Sequence, residues 1–143
     1  MDPTTDFITE AEKSVQRELL SDNWFQGVTV LTNANGNLEA QITQALSSVT
    51  SKLFAVIRVY EGKIPFIGGS EPWECEIVVT ENAALNRGAT SNGKTARWMV
   101  QKIIAAPKTT VTLETVREMP SGDYVVWQLK GTVEVTLPAD TEI

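Results

Sequence analysis

Residues 109–137 read TTVTLETVREMPSGDYVVWQLKGTVEVTL, and this stretch decides the fold. Val125, Trp127, Leu129, Val133, Val135 and Leu137 keep a period of two, the mark of a strand with one buried face. Only Gly131 breaks the set, and a glycine inside a strand marks a bulge or a bend. A second β-type run, Thr109–Val116, lies upstream. Between the two, Pro120-Ser121-Gly122-Asp123 has the residues of a tight turn, so the spacing predicts a hairpin.

Working outward, Pro107 stops a helix that starts near Thr95, with Ala96, Met99, Val100, Ile103 and Ile104 as its buried stripe. Before it, Glu81–Asn92 reads as irregular. Trp73–Val79 alternates, with Trp73, Cys75, Ile77 and Val79 on one side and Glu74 and Glu76 on the other. Glu61–Pro72 is a long connection. Leu53–Tyr60 (LFAVIRVY) is apolar on both alternating sets except at Arg58, which suits a central strand covered on both faces. A helix with Leu38, Ile42, Ala45, Leu46 and Val49 on one face precedes it, after the turn cluster Thr32–Asn37 and the short strand Val28–Leu31. The first helix is capped by Thr5 or Asp6 and places Ile8, Ala11, Glu12, Val15 and Leu19 at helical spacing. The order is α-β-α-β-β-α-β-β. It predicts an α+β fold built on a single mixed, mostly antiparallel sheet with helices packed on it. One domain is expected over residues 1–143, with flexible ends at 1–5 and 139–143.

Composition narrows the function. Hydrophobic residues make up 42% of the chain and charged residues 21%, a globular balance that argues against wholesale disorder. The longest apolar runs, such as Leu53–Ile57 and Ile103–Ala106, are too short to cross a bilayer, so no membrane partner is expected. The polar, acidic start Met1–Asp6 predicts neither a secretory signal nor a transit peptide. The chain has no histidine, which removes the commonest general base and a common metal ligand together. Its one cysteine, Cys75, has no internal disulfide partner and suits a reducing compartment. A net charge of −6 supplies no field that draws in nucleic acid.

Gly88-Ala89-Thr90-Ser91-Asn92-Gly93-Lys94-Thr95 spells G-x-x-x-x-G-K-[ST] in full. In a phosphate-binding loop, backbone amides wrap the β-phosphate, the lysine reaches the β/γ-phosphates and the hydroxyl ligates magnesium. Here those roles would fall to Gly88, Gly93, Lys94 and Thr95. The surroundings argue otherwise: Glu81–Arg87 separates the motif from the preceding strand, and no further β-α units follow. The plainer reading has Thr90 or Ser91 capping the third helix. Ser91-Asn92-Gly93-Lys94 also fits a serine–lysine pattern, without its companion motifs. Glu74 and Glu76 could pair as acid and base or hold a cation, but a solvated strand face explains them. Cys75 reads as inert packing. Lys94, Arg97, Lys102 and Lys108 gather near the third helix and read as a solvated face rather than a nucleic-acid surface. No catalytic residue, cofactor or metal is expected.

Ile64-Pro65-Phe66-Ile67 differs in kind, because it places large apolar residues in a loop. Such a loop is either a contact surface or a lid folded over the core. Trp24-Phe25 poses the same choice, with core packing favoured.

The helix Ala11–Leu20, the strand Leu53–Tyr60 with its elaborated loop, and the strand Glu74–Thr80 are followed by Glu81–Arg87 (ENAALNR), the helix Thr95–Ala105 and the closing hairpin. In that arrangement the chain resembles the tail terminator, or tail completion, proteins of long-tailed bacteriophages. The resemblance covers Ile8 to Leu137 and implies a non-enzymatic virion subunit. Such a subunit assembles in the host cytoplasm as a homo-oligomeric ring, typically of six copies. The ring ends the tail tube and joins it to neck and connector proteins on the head side, and DNA passes through without specific binding. Glu61–Pro72 is then the first choice for a subunit or tube contact. Two alternatives stand beside it: a small nucleotide-binding protein using residues 88–95, or another virion-associated adaptor.

Overall fold

The computed structural model describes residues 6–47, 53–82, 94–105, 111–122 and 124–137. Among these residues three α-helices, α1 (Phe7–Leu20), α2 (Leu38–Ser47) and α3 (Ala96–Ala105), pack on one five-stranded sheet. The strands are β1 (Thr29–Thr32), β2 (Leu53–Tyr60), β3 (Ser70–Asn82), β4 (Val111–Ser121) and β5 (Tyr124–Thr136). Their order across the sheet is β1-β2-β3-β5-β4. β1 and β2 run parallel around α2, and every other pairing is antiparallel. The fold is α+β, in the element order that the periodicities predict. Among the described residues no helix is long and apolar enough to cross a membrane.

Side-chain alternation splits the sheet into two faces. Ala55, Ile57, Trp73, Cys75, Ile77, Val79, Leu129 and Val133 meet α1 and α3 in the main core. On the opposite face Phe54 and Val56 pack with Leu31, Leu38, Ile42 and Ala45 in a smaller cluster under α2. β2 is thus covered on both sides, which is why both of its alternating sets are apolar.

The edge at β1 is closed by side chains. Gln16 of α1 donates to the Val30 carbonyl at 3.0 Å and Gln41 of α2 to that of Thr32 at 3.1 Å, satisfying acceptors that a short edge strand leaves open. Where β1 has run out, the buried Glu12 carboxylate takes over. It accepts from the Val59 amide at 3.0 Å and the Thr32 hydroxyl at 2.9 Å. Glu12 therefore belongs on the stripe of α1 that faces the core, as its spacing predicts, because it replaces a strand's hydrogen bonds there.

Several boundaries differ from the sequence reading. β3 runs from Ser70 to Asn82, not Trp73 to Val79, because β5 pairs with it over its whole length. β4 continues to Ser121, and Pro120 is tolerated because β4 is the other edge. The pairing consequently reaches Ser121 and Tyr124, with Gly122 at φ +60°, and Asp123 lies outside the described residues. The irregularity at Gly131 falls on its partner: the β4 register shifts between Leu113 and Thr115, and a Cβ on Gly131 would collide with the Thr112 carbonyl. Ile104 and Leu46, expected to be buried, are 52% and 42% exposed. The expected flexible ends at 1–5 and 139–143, and Val49 of the second helix, lie outside the described residues.

Candidate functional site

Residues 61–69 join β2 to β3 at the end of the sheet where β5 finishes. Their backbone is tied down at three places. The buried Trp73 indole donates from Nε1 to the Lys63 carbonyl at 2.8 Å. Gly68 donates to the Leu137 carbonyl at 2.6 Å, and Leu137 returns a bond to the Gly69 carbonyl at 3.0 Å. Phe66–Gly69 closes as a turn, with the Gly69 amide 2.8 Å from the Phe66 carbonyl and Gly68 at φ +84°, a conformation that favours glycine there. Phe7 adds an edge contact to Trp73, with ring centroids 6.0 Å apart.

With its backbone held, the loop points its side chains outward. Phe66 is 90% exposed, and Ile64 and Ile67 are 53% and 55% exposed. Pro65 alone turns inward and is buried, so it is an anchor and not part of the exposed surface. The loop does not close over the core as a lid. Trp24 and Phe25 behave differently. Phe25 is 1% exposed and belongs to the main core, which removes it from any contact surface. Trp24 is half-buried between Phe25 and Trp98, with centroids 5.0 and 5.6 Å away.

The phosphate-loop spelling meets a different environment. Gly88 and Gly93, like Thr90 and Ser91, lie outside the described residues; Lys94 and Thr95 are within them. Thr95 itself caps α3, its hydroxyl accepting from the Trp98 amide at 3.2 Å. The amide of Ala96 bonds the buried Glu81 carboxylate at 3.1 Å. A side-chain anion thus already occupies the helix N-terminus, where a bound phosphate would have to sit, and a second anion there would be repelled. Lys94 donates to the Gln26 carbonyl at 3.1 Å and stands 5.2 Å over the Trp24 ring. β3, the strand before this segment, is antiparallel to both of its neighbours, whereas a nucleotide-binding loop leaves a parallel strand. Glu81, read from sequence as the start of an irregular stretch, is a residue of β3 whose carboxylate caps α3.

Glu74 and Glu76 are not an equivalent solvated pair. Glu74 is exposed, but Glu76 is buried. Gln128 donates to Glu76 at 2.6 Å, Arg117 to Gln128 at 3.2 Å, and the Tyr60 hydroxyl stands 3.4 Å from the other Glu76 oxygen. Burial, then the Glu76 charge, raises the Tyr60 pKa. Cys75 faces the core, and burial, with Glu12 and Glu76 adding to it, pushes its thiol up to about 12. It is protonated and unreactive near neutral pH.

One feature escaped the sequence reading. On the face that α2 only partly covers, Leu46, Phe54, Val56, Val78, Val126 and Tyr124 surround a depression of 340 Å³, with Arg58 at its side. Its apolar residues come from four elements, so no single periodicity reveals it.

Neither a known family profile nor a curated protein matches the chain. Among solved structures, a protein from Akkermansia muciniphila is similar over 93% of this chain and 79% of its own, at 10% identity and a TM-score of 0.37.

Proposed function

We propose that the chain is a non-enzymatic structural subunit that assembles with copies of itself, as a ring that ends a phage tail tube and joins it to the head side. One observation carries the assembly reading: Phe66, flanked by Ile64 and Ile67, stands in water on a backbone that is hydrogen-bonded in place. A monomer gains nothing from that arrangement. Burying a phenylalanine side chain contributes about 1.5–3 kcal/mol, and a loop fixed beforehand loses little entropy when it docks. The tail assignment is supported by the resemblance in element order and by the net charge of −6, which suits a passage that DNA crosses without binding.

Sedimentation of the wild-type protein and of Phe66→Asp tests the assembly. Wild type should form a defined oligomer, and the variant, with an unchanged far-UV spectrum, should associate roughly 30-fold more weakly or worse, as at an interface hot spot. A wild-type chain that stays monomeric at high micromolar concentration ends the proposal. The tail assignment is tested separately by electron microscopy of purified tail tubes, whose ends should be capped by the wild-type protein.

A further inference from the structure

We infer that the acceptor for the Phe66 loop is the depression on the open sheet face of a neighbouring copy, so that subunits join head to tail. This rests on the self-assembly reading above and names its second half.

The two features lie at opposite ends of the same strands. Phe54 pairs with Thr80 and Thr80 with Val126, so these residues form one row across the sheet; Val56 and Val78 form the next. The loop begins after Tyr60, six residues along β2, about 20 Å away at strand spacing. Its three backbone anchors hold it there, so it cannot reach its own depression. A polar chain runs from Tyr60 and Glu76, on the loop's side of the depression, to Gln128, which pairs with Val78, and on to Arg117, so it borders the apolar area along that side and toward β4.

Size and charge suit this occupant. At 340 Å³ the depression has room for an aromatic side chain and a neighbouring aliphatic one. Arg58, the cation among its lining residues, is 36% exposed; it stands 3.7 Å from Glu39, itself 85% exposed, and also interacts with the Tyr60 hydroxyl. The loop brings an exposed carboxylate, Glu61, beside its apolar residues. The loop also carries the exposed base Lys63 beside Ile64. The arriving surface therefore offers an apolar knob flanked by an acid and a base, and the receiving surface an apolar hollow flanked by Arg58 and Glu39, each charge with an opposite one to meet. Because knob and hollow are different surfaces, the contact is heterologous, and repeating it generates a ring when the rotation closes.

The test pairs a knob variant, Phe66→Asp, with the hollow variants Leu46→Lys and Val78→Lys. Leu46 is 42% exposed on α2, so its replacement leaves the fold intact even if Val78→Lys does not. Each variant alone should associate roughly 30-fold more weakly than wild type, or worse, by sedimentation velocity. An equimolar mixture of Phe66→Asp and Leu46→Lys should form a heterodimer and stop there, since each supplies the half that the other lacks. A knob-to-knob interface gives no such recovery. If wild type assembles and Phe66→Asp disrupts it while folded Leu46→Lys assembles normally, this inference is overturned and the assembly reading stands. A small apolar ligand or another segment would then be the occupant of the depression. A monomeric wild type overturns both.

Discussion

The segment 61–69 and the entry into α3 are both loop regions that the sequence singles out for chemistry, and they treat their side chains in opposite ways. At the entry into α3 the charged groups turn inward: Glu81 caps the helix, and Lys94 lies between the Gln26 carbonyl and the Trp24 ring. At 61–69 the backbone bonds inward and the apolar side chains turn out. The first pattern is how a fold satisfies its own polar groups. The second leaves free energy unspent until a partner arrives. A motif spelling therefore means little until the partners of its charges are known, and an apolar loop means much once its backbone is known to be fixed.

Three substitutions break or sharpen this contrast. Glu81→Ala should have the largest effect on stability, about 2–3 kcal/mol, because it removes a charged acceptor and strands a buried amide; urea unfolding measures it, with association of the folded protein unaltered. Trp73→Phe should cost about 1–2 kcal/mol through the lost Nε1 bond and reduced packing. It should also weaken association, because it removes one of the three anchors of residues 61–69, and a sedimentation series across the same urea-tested samples separates the two losses. Lys94→Ala should be the mildest, below about 1 kcal/mol, since its cation–π contact and its hydrogen bond to Gln26 are made by a half-exposed side chain. Calorimetry with Mg-ATP should find no saturable binding in wild type for that variant to abolish. Micromolar binding lost in Lys94→Ala would return residues 88–95 to the nucleotide reading and reverse the contrast.

Much of the fold is legible in the sequence. The period of two in residues 125–137, the doubly apolar LFAVIRVY and the helical stripes of α1 and α3 give the element types and their order, because alternation and 3.6-residue spacing record which side of each element meets the core. The Asp6 cap is legible too: its carboxylate accepts from the Thr9 amide at 2.7 Å, and that bond lowers its pKa. Ends of strands are less so. β3 and β4 run past their apolar patterns because a strand continues wherever its neighbour offers hydrogen bonds, whatever the side chains.

The sequence alone determined the sheet-with-helices architecture, the absence of histidine chemistry and the oddity of an apolar loop. Only the tertiary structure decided which charges are internal, which apolar groups are not, and where the hollow lies. Glu81 meets Ala96 across 15 positions and Glu12 meets Val59 across 47. Periodicity reports what one element does with its nearest turns, whereas these pairings depend on how distant elements are placed in space. The exposed Phe66 and the depression on the far end of the sheet are products of that placement.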